Sequence, residues 1–320
     1  LRHAGLPVYG PSAAAARIEG SKLFAKEVMA AAGVPTAALL DHPRAPCVLK
    51  ADGLAGGKGV VVCHTEAELD AARETVLAFG DEVVAEELLE GPEVSVFALC
   101  AGTELLVLPP ARDFKRAYDG DEGPNTGGMG SYAPVTGIDL DEIVATCVAP
   151  VLAELARRGA PFVGTLFVGL MLTPDGPKVL EYNCRFGDPE TQSVLPLVAG
   201  DLLPALVAAA GGSLAGVALD VGAGSAVTVV LTAGAYPASD DRGVPIAGIE
   251  RAESEGALVF HSGTALRDGR LVTNGGRLLG VTATGATLAE ARRRAYDAAD
   301  SIEIPGARRR ADIALAAADG

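Results

Sequence analysis

Apolar positions recur along this chain in two rhythms, one helical and one strand-like, and their alternation predicts a mixed α/β protein. "PSAAAARIEGSKLFAKEVMAAAG" predicts a helix from about Ser12, closed at Gly33, where a helix end favours a left-handed residue. Short apolar runs predict strands at "TAALL" (36–40) and "CVLKA" (47–51), with "DHPRAP" (41–46) a bare connection between them. "GVVVC" (59–63) is a further strand, and "TEAELDAARETVLAFG" is a helix opened by a capping box, Thr65 with Glu68 three residues on. Strands follow at about 83–88, 93–101 and 104–108. The polar, glycine-rich segment 111–134 is too long and irregular for a simple connector and is a candidate functional loop.

A helix is predicted over about 139–158, then strands at "FVGTLFVGLML" and "KVLEYN" joined by the turn "TPDGP", then helices over 190–211. The glycine-rich "AGGSLAGVALDVGAG" marks a boundary. Beyond it, strands at 225–232, 258–261 and 278–284 alternate with a helix capped by Thr287 and Glu290. The chain opens in what reads as a helix-to-strand connection, "LRHAGLPVYGP", so a preceding amino-terminal portion is expected.

At 320 residues the chain can hold two or three domains, and 49% apolar residues suit a globular protein. No apolar run approaches the roughly 18 residues of a membrane helix, which predicts a cytoplasmic protein with no membrane partner. A net charge of −15 opposes a nucleic-acid surface, so a polyanionic ligand must meet locally concentrated cations. Five isolated cysteines, at 47, 63, 100, 147 and 184, read as reduced, buried thiols. Of the 26 basic residues only six are lysine, at 22, 26, 50, 58, 115 and 178, and four of them lie in the motifs that follow. An ammonium is a compact charge suited to phosphate oxygens.

"VLKADGLAGGKGVVV" puts Lys50 at a strand end and Gly53, Gly56, Gly57, Lys58 and Gly59 in the loop beyond it. Residues without Cβ let backbone N–H groups close on phosphate, and the two lysines add charge; a glycine-rich hairpin turn is the plain alternative. Gly59 and a strand follow Lys58 where the Walker P-loop needs Ser or Thr and a helix. "VVAEELLEGPEVSVFAL" places Glu86 at one strand end and Glu93 at the next strand's start, either for adenine and ribose or as ordinary exposed carboxylates. "KVLEYNCRFGDPETQ" sets Glu181 and Asn183 on one strand face, two hard oxygen donors of the kind Mg²⁺ accepts. Arg185 continues that face and Cys184 turns away from it. Asp188 and Glu190 either shape substrate binding or turn the chain into a helix that Pro189 is suited to start.

The series "GPSAAAARIEGSK", "KADGLAGGKGV", "EELLEGPEVS", "DEGPNTGGMGSYAP" and "EYNCRFGDPETQ" resembles the ATP-grasp ligases, and within them the glycinamide ribonucleotide synthetase family. "VFHSGT" and "VTNGGR" resemble that family's carboxy-terminal domain. The resemblance implies residues 1–17 as the remnant of an amino-terminal domain and linker, and 18–217 as an ATP-grasp domain of two α+β subdomains clamping ATP. Within it 47–108 would form the smaller, lid-like part, and 218–320 a small carboxy-terminal α/β domain. It implies ATP phosphates on Lys22, Lys50 and Lys58 with the Gly56, Gly57 and Gly59 backbone, Glu86 and Leu89 at the adenine, and Glu93 at the ribose. Mg²⁺ or Mn²⁺ would lie on Glu181 and Asn183. Arg185 and the 123–130 loop would lie near the glycine carboxylate and the reacting phosphoryl group, so that Arg185 and Lys58 act at the transferring phosphoryl. Lys115, Arg116, Asn125, Thr126, Gly127, Gly128 and Asp188 fall to glycine and 5-phosphoribosylamine.

The activity so implied is ligation of those two substrates through glycyl phosphate, in purine biosynthesis, by a monomer or weak dimer. Other ATP-grasp carboxylate–amine ligases or carboxylases, and a nucleotide-binding module without turnover, are the alternatives. The connection 41–46 is shorter than the family's, which usually fits a helix there.

Overall fold

Strand ladders throughout the described residues run antiparallel, so the sheets grow by hairpins and returns instead of by βαβ crossovers. The computed structural model describes residues 1, 4–54, 59–80 and 82–319. Two units separate: Leu1–Leu108 with Gly137–Phe186 and Gly200–Leu219, and Pro109–Thr136 with Gly187–Ala199 and Asp220–Gly320.

The first unit holds two sheets. The smaller orders its strands Val60–Cys63, Cys47–Ala51, Val83–Glu87, and helix Glu66–Leu77 seals it by burying Leu69, Ala72 and Val76 with Cys47, Leu49, Ala51 and Cys63. That helix starts on the expected capping box, Thr65 accepting from the Glu68 N–H and Glu68 from the Thr65 N–H. The larger sheet orders Gly176–Asn183, Val163–Thr173, Glu93–Ala101, Glu104–Val107. Its central strand Glu93–Ala101 is buried from Val94 onward, as expected where both faces are covered. Helical residues run from Leu140 to Arg157 as predicted, with a π turn at Val144–Val148.

In the second unit the main sheet orders Leu258–His261, Arg277–Gly285, Ser225–Thr232, Gly130–Ala133, Arg112–Asp113. Helix Leu288–Asp300, capped by Thr287 as predicted, lays Ala291 and Ala295 on Val227, Val229 and Ala283. A second sheet, Asp241–Pro245, Arg270–Gly275, Thr264–Arg267, was not anticipated from the sequence.

Several expectations are corrected. The single helix from Ser12 to Gly33 is two, Ala13–Gly20 and Lys22–Ala32, because Ser21 is extended (φ −142°) and its hydroxyl caps the second helix at the Phe24 N–H. "TAALL" is not a strand: it makes bridges at Thr36 to Val179 and Leu39 to Glu86, so its backbone is shared between two sheets. Segment 111–134 is not a loop, since it supplies Gly130–Ala133 to the main sheet and a hairpin of Arg116–Tyr118 with Glu122–Asn125. Residues 190–211 form helices only at Glu190–Val194 and Leu203–Ala210, with a 3₁₀ turn and a short strand between. Pro189 caps the first of these and is not its opening residue.

Candidate functional site

In the first unit, three lysines gather around one carboxylate and one strand. Lys22 opens helix Lys22–Ala32 and donates from Nζ to the carbonyls of Ala51 (2.7 Å) and Gly53 (3.0 Å). Asp52 fixes that arrangement: its carboxylate accepts from the Lys22 and Leu23 backbone N–H groups and from the Ser21 hydroxyl, neutralising the positive end of the helix. The end of strand Cys47–Ala51 is thereby tied to the helix that carries Lys22. Burial lowers the Lys22 ammonium pKa below its ordinary value; Glu181 partly offsets this and neighbouring Lys50 adds to it.

Lys50 donates to Glu86 Oε2 (2.7 Å) and the Leu180 carbonyl (3.2 Å), and Glu86 Oε1 accepts from Lys26 (3.0 Å). Glu86 is 2% exposed, so it is not the open strand-end carboxylate weighed as the plain alternative; its side chain is taken up by two lysines. Burial lowers the Lys26 pKa while the Glu86 carboxylate holds it up. Leu89, half-buried, lies just beyond strand Val83–Glu87, and Glu93 opens the next strand, paired with Met171. Gly59 accepts from the Ala51 N–H (2.7 Å). Gly56, Gly57 and Lys58 lie outside the described residues.

Strand Gly176–Asn183 carries the oxygen donors. Its pairing with Val163–Thr173 shifts between Gly169 and Leu170, so Leu180 is an extra residue that rephases the strand. Beyond the bulge Tyr182 is buried and donates to the Cys147 carbonyl (2.6 Å), while Glu181 and Asn183 share the other face, Asn183 Nδ2 lying 3.2 Å from Glu181 Oε1. Among the described residues no group of three or more His, Cys, Asp and Glu could hold a metal. A carboxylate with one amide suits an ion that takes few protein ligands and completes its shell with water and phosphate. Arg185, exposed, pairs with Glu19 (3.3 Å), whose other oxygen accepts from the Cys184 N–H (2.8 Å). Burial pushes the Cys184 thiol up to about 12, so it is a packing group.

The second unit holds the remaining candidates. Thr126 donates from both N–H and hydroxyl to the Lys115 carbonyl (2.8 Å each), and its Oγ1 accepts from the Gly128 N–H (3.0 Å). Lys115 lies 3.9 Å from Asp113. Arg116, opposite Asn125 in the hairpin, donates to the Gly123 carbonyl (2.8 Å). The Gly127 N–H donates to Tyr236 Oη (3.0 Å), its carbonyl accepts from Arg277 (2.6 Å), and Arg277 also pairs with Asp188. Gly128 has φ +106°, and a Cβ there would meet Pro189 Cδ at 2.3 Å, so the turn admits only glycine. Asp188 and the 126–128 turn are thus joined by Arg277, 89 and about 150 residues away in sequence, which local pattern could not show. Lys26, Asp52, Tyr236 and Arg277 lie in no local motif; the scarcity of lysine sets Lys26 among six candidates without singling it out.

A family model described as phosphoribosylglycinamide synthetase, ATP-grasp (A) domain, matches residues 20–191, and that family's C domain matches residues 226–316. The chain belongs to the phosphoribosylglycinamide synthetase family. A phosphoribosylamine–glycine ligase of Streptomyces coelicolor is 49% identical over 337 residues, covering 99% of this chain and 80% of that protein. The crystal structure of the phosphoribosylamine–glycine ligase of Thermotoga maritima superposes with a TM-score of 0.87 at 38% identity, covering 96% of this chain and 81% of that one. The biotin carboxylase domain of the Hydrogenobacter thermophilus 2-oxoglutarate carboxylase matches at TM-score 0.69 and 19% identity, over 96% of this chain and 71% of that one, a likeness of fold alone. Among the described residues no helix is long and apolar enough to cross a membrane.

Proposed function

We propose that this chain ligates glycine to 5-phosphoribosylamine at the expense of ATP, giving glycinamide ribonucleotide, ADP and phosphate through a glycyl phosphate intermediate. The observation that supports the reading is the grouping of Lys22 and Lys50 with Glu181 and Asn183: two ammonium groups beside two hard oxygen donors suit a polyphosphate and its metal ion. Glycine's carboxylate is a poor acyl donor at neutral pH. Its attack on the γ-phosphoryl group forms glycyl phosphate and releases ADP; the amine of phosphoribosylamine then attacks the acyl carbon and expels phosphate.

Such transfer rests on positioning and charge neutralisation more than on a protein nucleophile. Lys22 and Lys50, with Lys58 and the Gly56, Gly57 and Gly59 backbone, hold the phosphates, and Arg185 meets the carboxylate being activated. Since the Glu86 side chain is committed to lysines, adenine recognition falls to backbone groups of 86–89, with Glu93 at the ribose. Glu181 and Asn183 would hold Mg²⁺ or Mn²⁺, which when bound neutralises phosphate charge. Lys115, Arg116, Asn125, Thr126, Gly127, Gly128 and Asp188 serve the two small substrates. In this reading 18–217 is the ATP-grasp domain, with 47–108 its lid-like part, and 218–320 the carboxy-terminal domain, in a cytoplasmic monomer or weak dimer.

ADP release measured with each substrate alone and with both tests the reading. Full release that needs glycine and phosphoribosylamine together is expected. Release driven by bicarbonate in place of glycine would overturn it.

A further inference from the structure

We propose that Lys26 is a positioning residue for ATP binding: without touching the nucleotide, it acts through Glu86 to hold the Lys50 ammonium where the phosphates arrive. An ammonium has three N–H donors, and all three of Lys26 are spent inside the protein, on Glu86 Oε1 (3.0 Å), Thr36 Oγ1 (2.9 Å) and the Ala37 carbonyl (2.6 Å). Lys50, by contrast, makes two contacts with described residues, Glu86 Oε2 and the Leu180 carbonyl, which leaves a donor for a ligand.

The two lysines are also keyed to one strand. The Thr36 hydroxyl that accepts from Lys26 donates to the Val179 carbonyl (2.7 Å), and Lys50 takes the next carbonyl, Leu180, at the bulge that turns out Glu181 and Asn183. One buried carboxylate thus faces two buried cations, leaving the trio with a net positive charge that an anion can use. With Lys26 absent, Lys50 is the ion-pair partner left to Glu86 among the described residues. The pair becomes neutral, and the Lys50 ammonium is drawn onto the carboxylate and away from phosphate.

The inference rests on the reading of Lys50 as a phosphate ligand, and its test separates the two. Calorimetric ATP affinity is measured for the unaltered chain, Lys50→Met, Lys26→Met and the double variant, each with a circular-dichroism spectrum. Lys50→Met is expected to weaken ATP about tenfold or more, the loss of one charge-assisted hydrogen bond; wild-type affinity in that variant overturns the phosphate reading itself. Lys26→Met is expected to weaken ATP about tenfold while staying folded, and to add nothing further to Lys50→Met, because both changes remove the same interaction. Wild-type affinity in Lys26→Met, or a loss that adds in full to that of Lys50→Met as a general structural defect would, overturns the proposal. If Lys26→Met does not fold, Thr36→Val removes one of its three acceptors: a roughly two- to fivefold loss, part of the worth of one hydrogen bond felt indirectly through Glu86, supports the proposal and no loss overturns it.

Discussion

Replacing Glu86 by leucine leaves two buried ammonium groups facing a side chain with no charge to offer. Glu86, Lys26 and Lys50 have side-chain exposures of 3%, 7% and 8%, and the contacts are 3.0 and 2.7 Å, so water cannot take the carboxylate's place. Removing one partner from a buried ion pair costs about 3–5 kcal/mol. The penalty has a ceiling, because a stranded ammonium can release its proton. For a lysine of ordinary pKa that costs about 4.6 kcal/mol at pH 7 and about 2 kcal/mol at pH 9.

Lys26 is the group that yields: burial already lowers its pKa, and Glu86 supplies both the charge and the hydrogen bond that hold it up. In the variant the unfolded chain binds more protons than the folded one between the two lysine pKa values, so stability rises with pH across that window. The expectation is a loss of about 3–5 kcal/mol at pH 7 that narrows by roughly 2 kcal/mol at pH 9. Urea unfolding followed by far-ultraviolet circular dichroism, on both proteins at both pH values, measures it. A loss below about 1 kcal/mol at pH 7, the range of an exposed pair, or a deficit equal at both pH values, would show that Glu86 does not hold two buried ammonium groups.

Three further outcomes are expected. Glu181→Ala should abolish metal-dependent turnover with the fold intact, and near-normal activity would remove the metal assignment from the Glu181–Asn183 face. Cys184→Ser should keep substantial activity, and the parent should resist thiol alkylation at neutral pH, because burial keeps the thiol protonated up to about 12; complete loss in a folded variant would instead point to a covalent route. Gly128→Ala should cost about 2–5 kcal/mol in unfolding experiments, combining an unfavourable positive φ with the clash on Pro189; a neutral result would contradict the turn geometry.

What the sequence disclosed was local. The Thr65–Glu68 capping box, the long buried strand Glu93–Ala101 and the shared face of Glu181 and Asn183 depend on residues within a few positions of one another, and each appears where its pattern placed it. Glu86 could not be read that way, because its partners are 36 and 60 residues off and a strand-end carboxylate has the same local signature buried or exposed. The alanine-rich stretch after Ser12 has helical propensity on both sides of Ser21, so its break depends on the serine's extended backbone and on Asp52, 31 residues away. Strand Gly130–Ala133 hides among glycines. Its burial comes from pairing with Ser225–Thr232 and from Ser131, which donates to the Pro189 carbonyl and shares a hydrogen bond with Ser193.

In the proposed reaction glycine's own carboxylate oxygen attacks phosphorus. Glycine labelled with ¹⁸O in both carboxylate oxygens, turned over with ATP and phosphoribosylamine, tests it directly through the isotope shift of the phosphate ³¹P resonance. Passage through glycyl phosphate places one labelled oxygen in each phosphate released, the other staying in the amide carbonyl of the product. Unlabelled phosphate accompanying product formation would rule out glycyl phosphate as the intermediate.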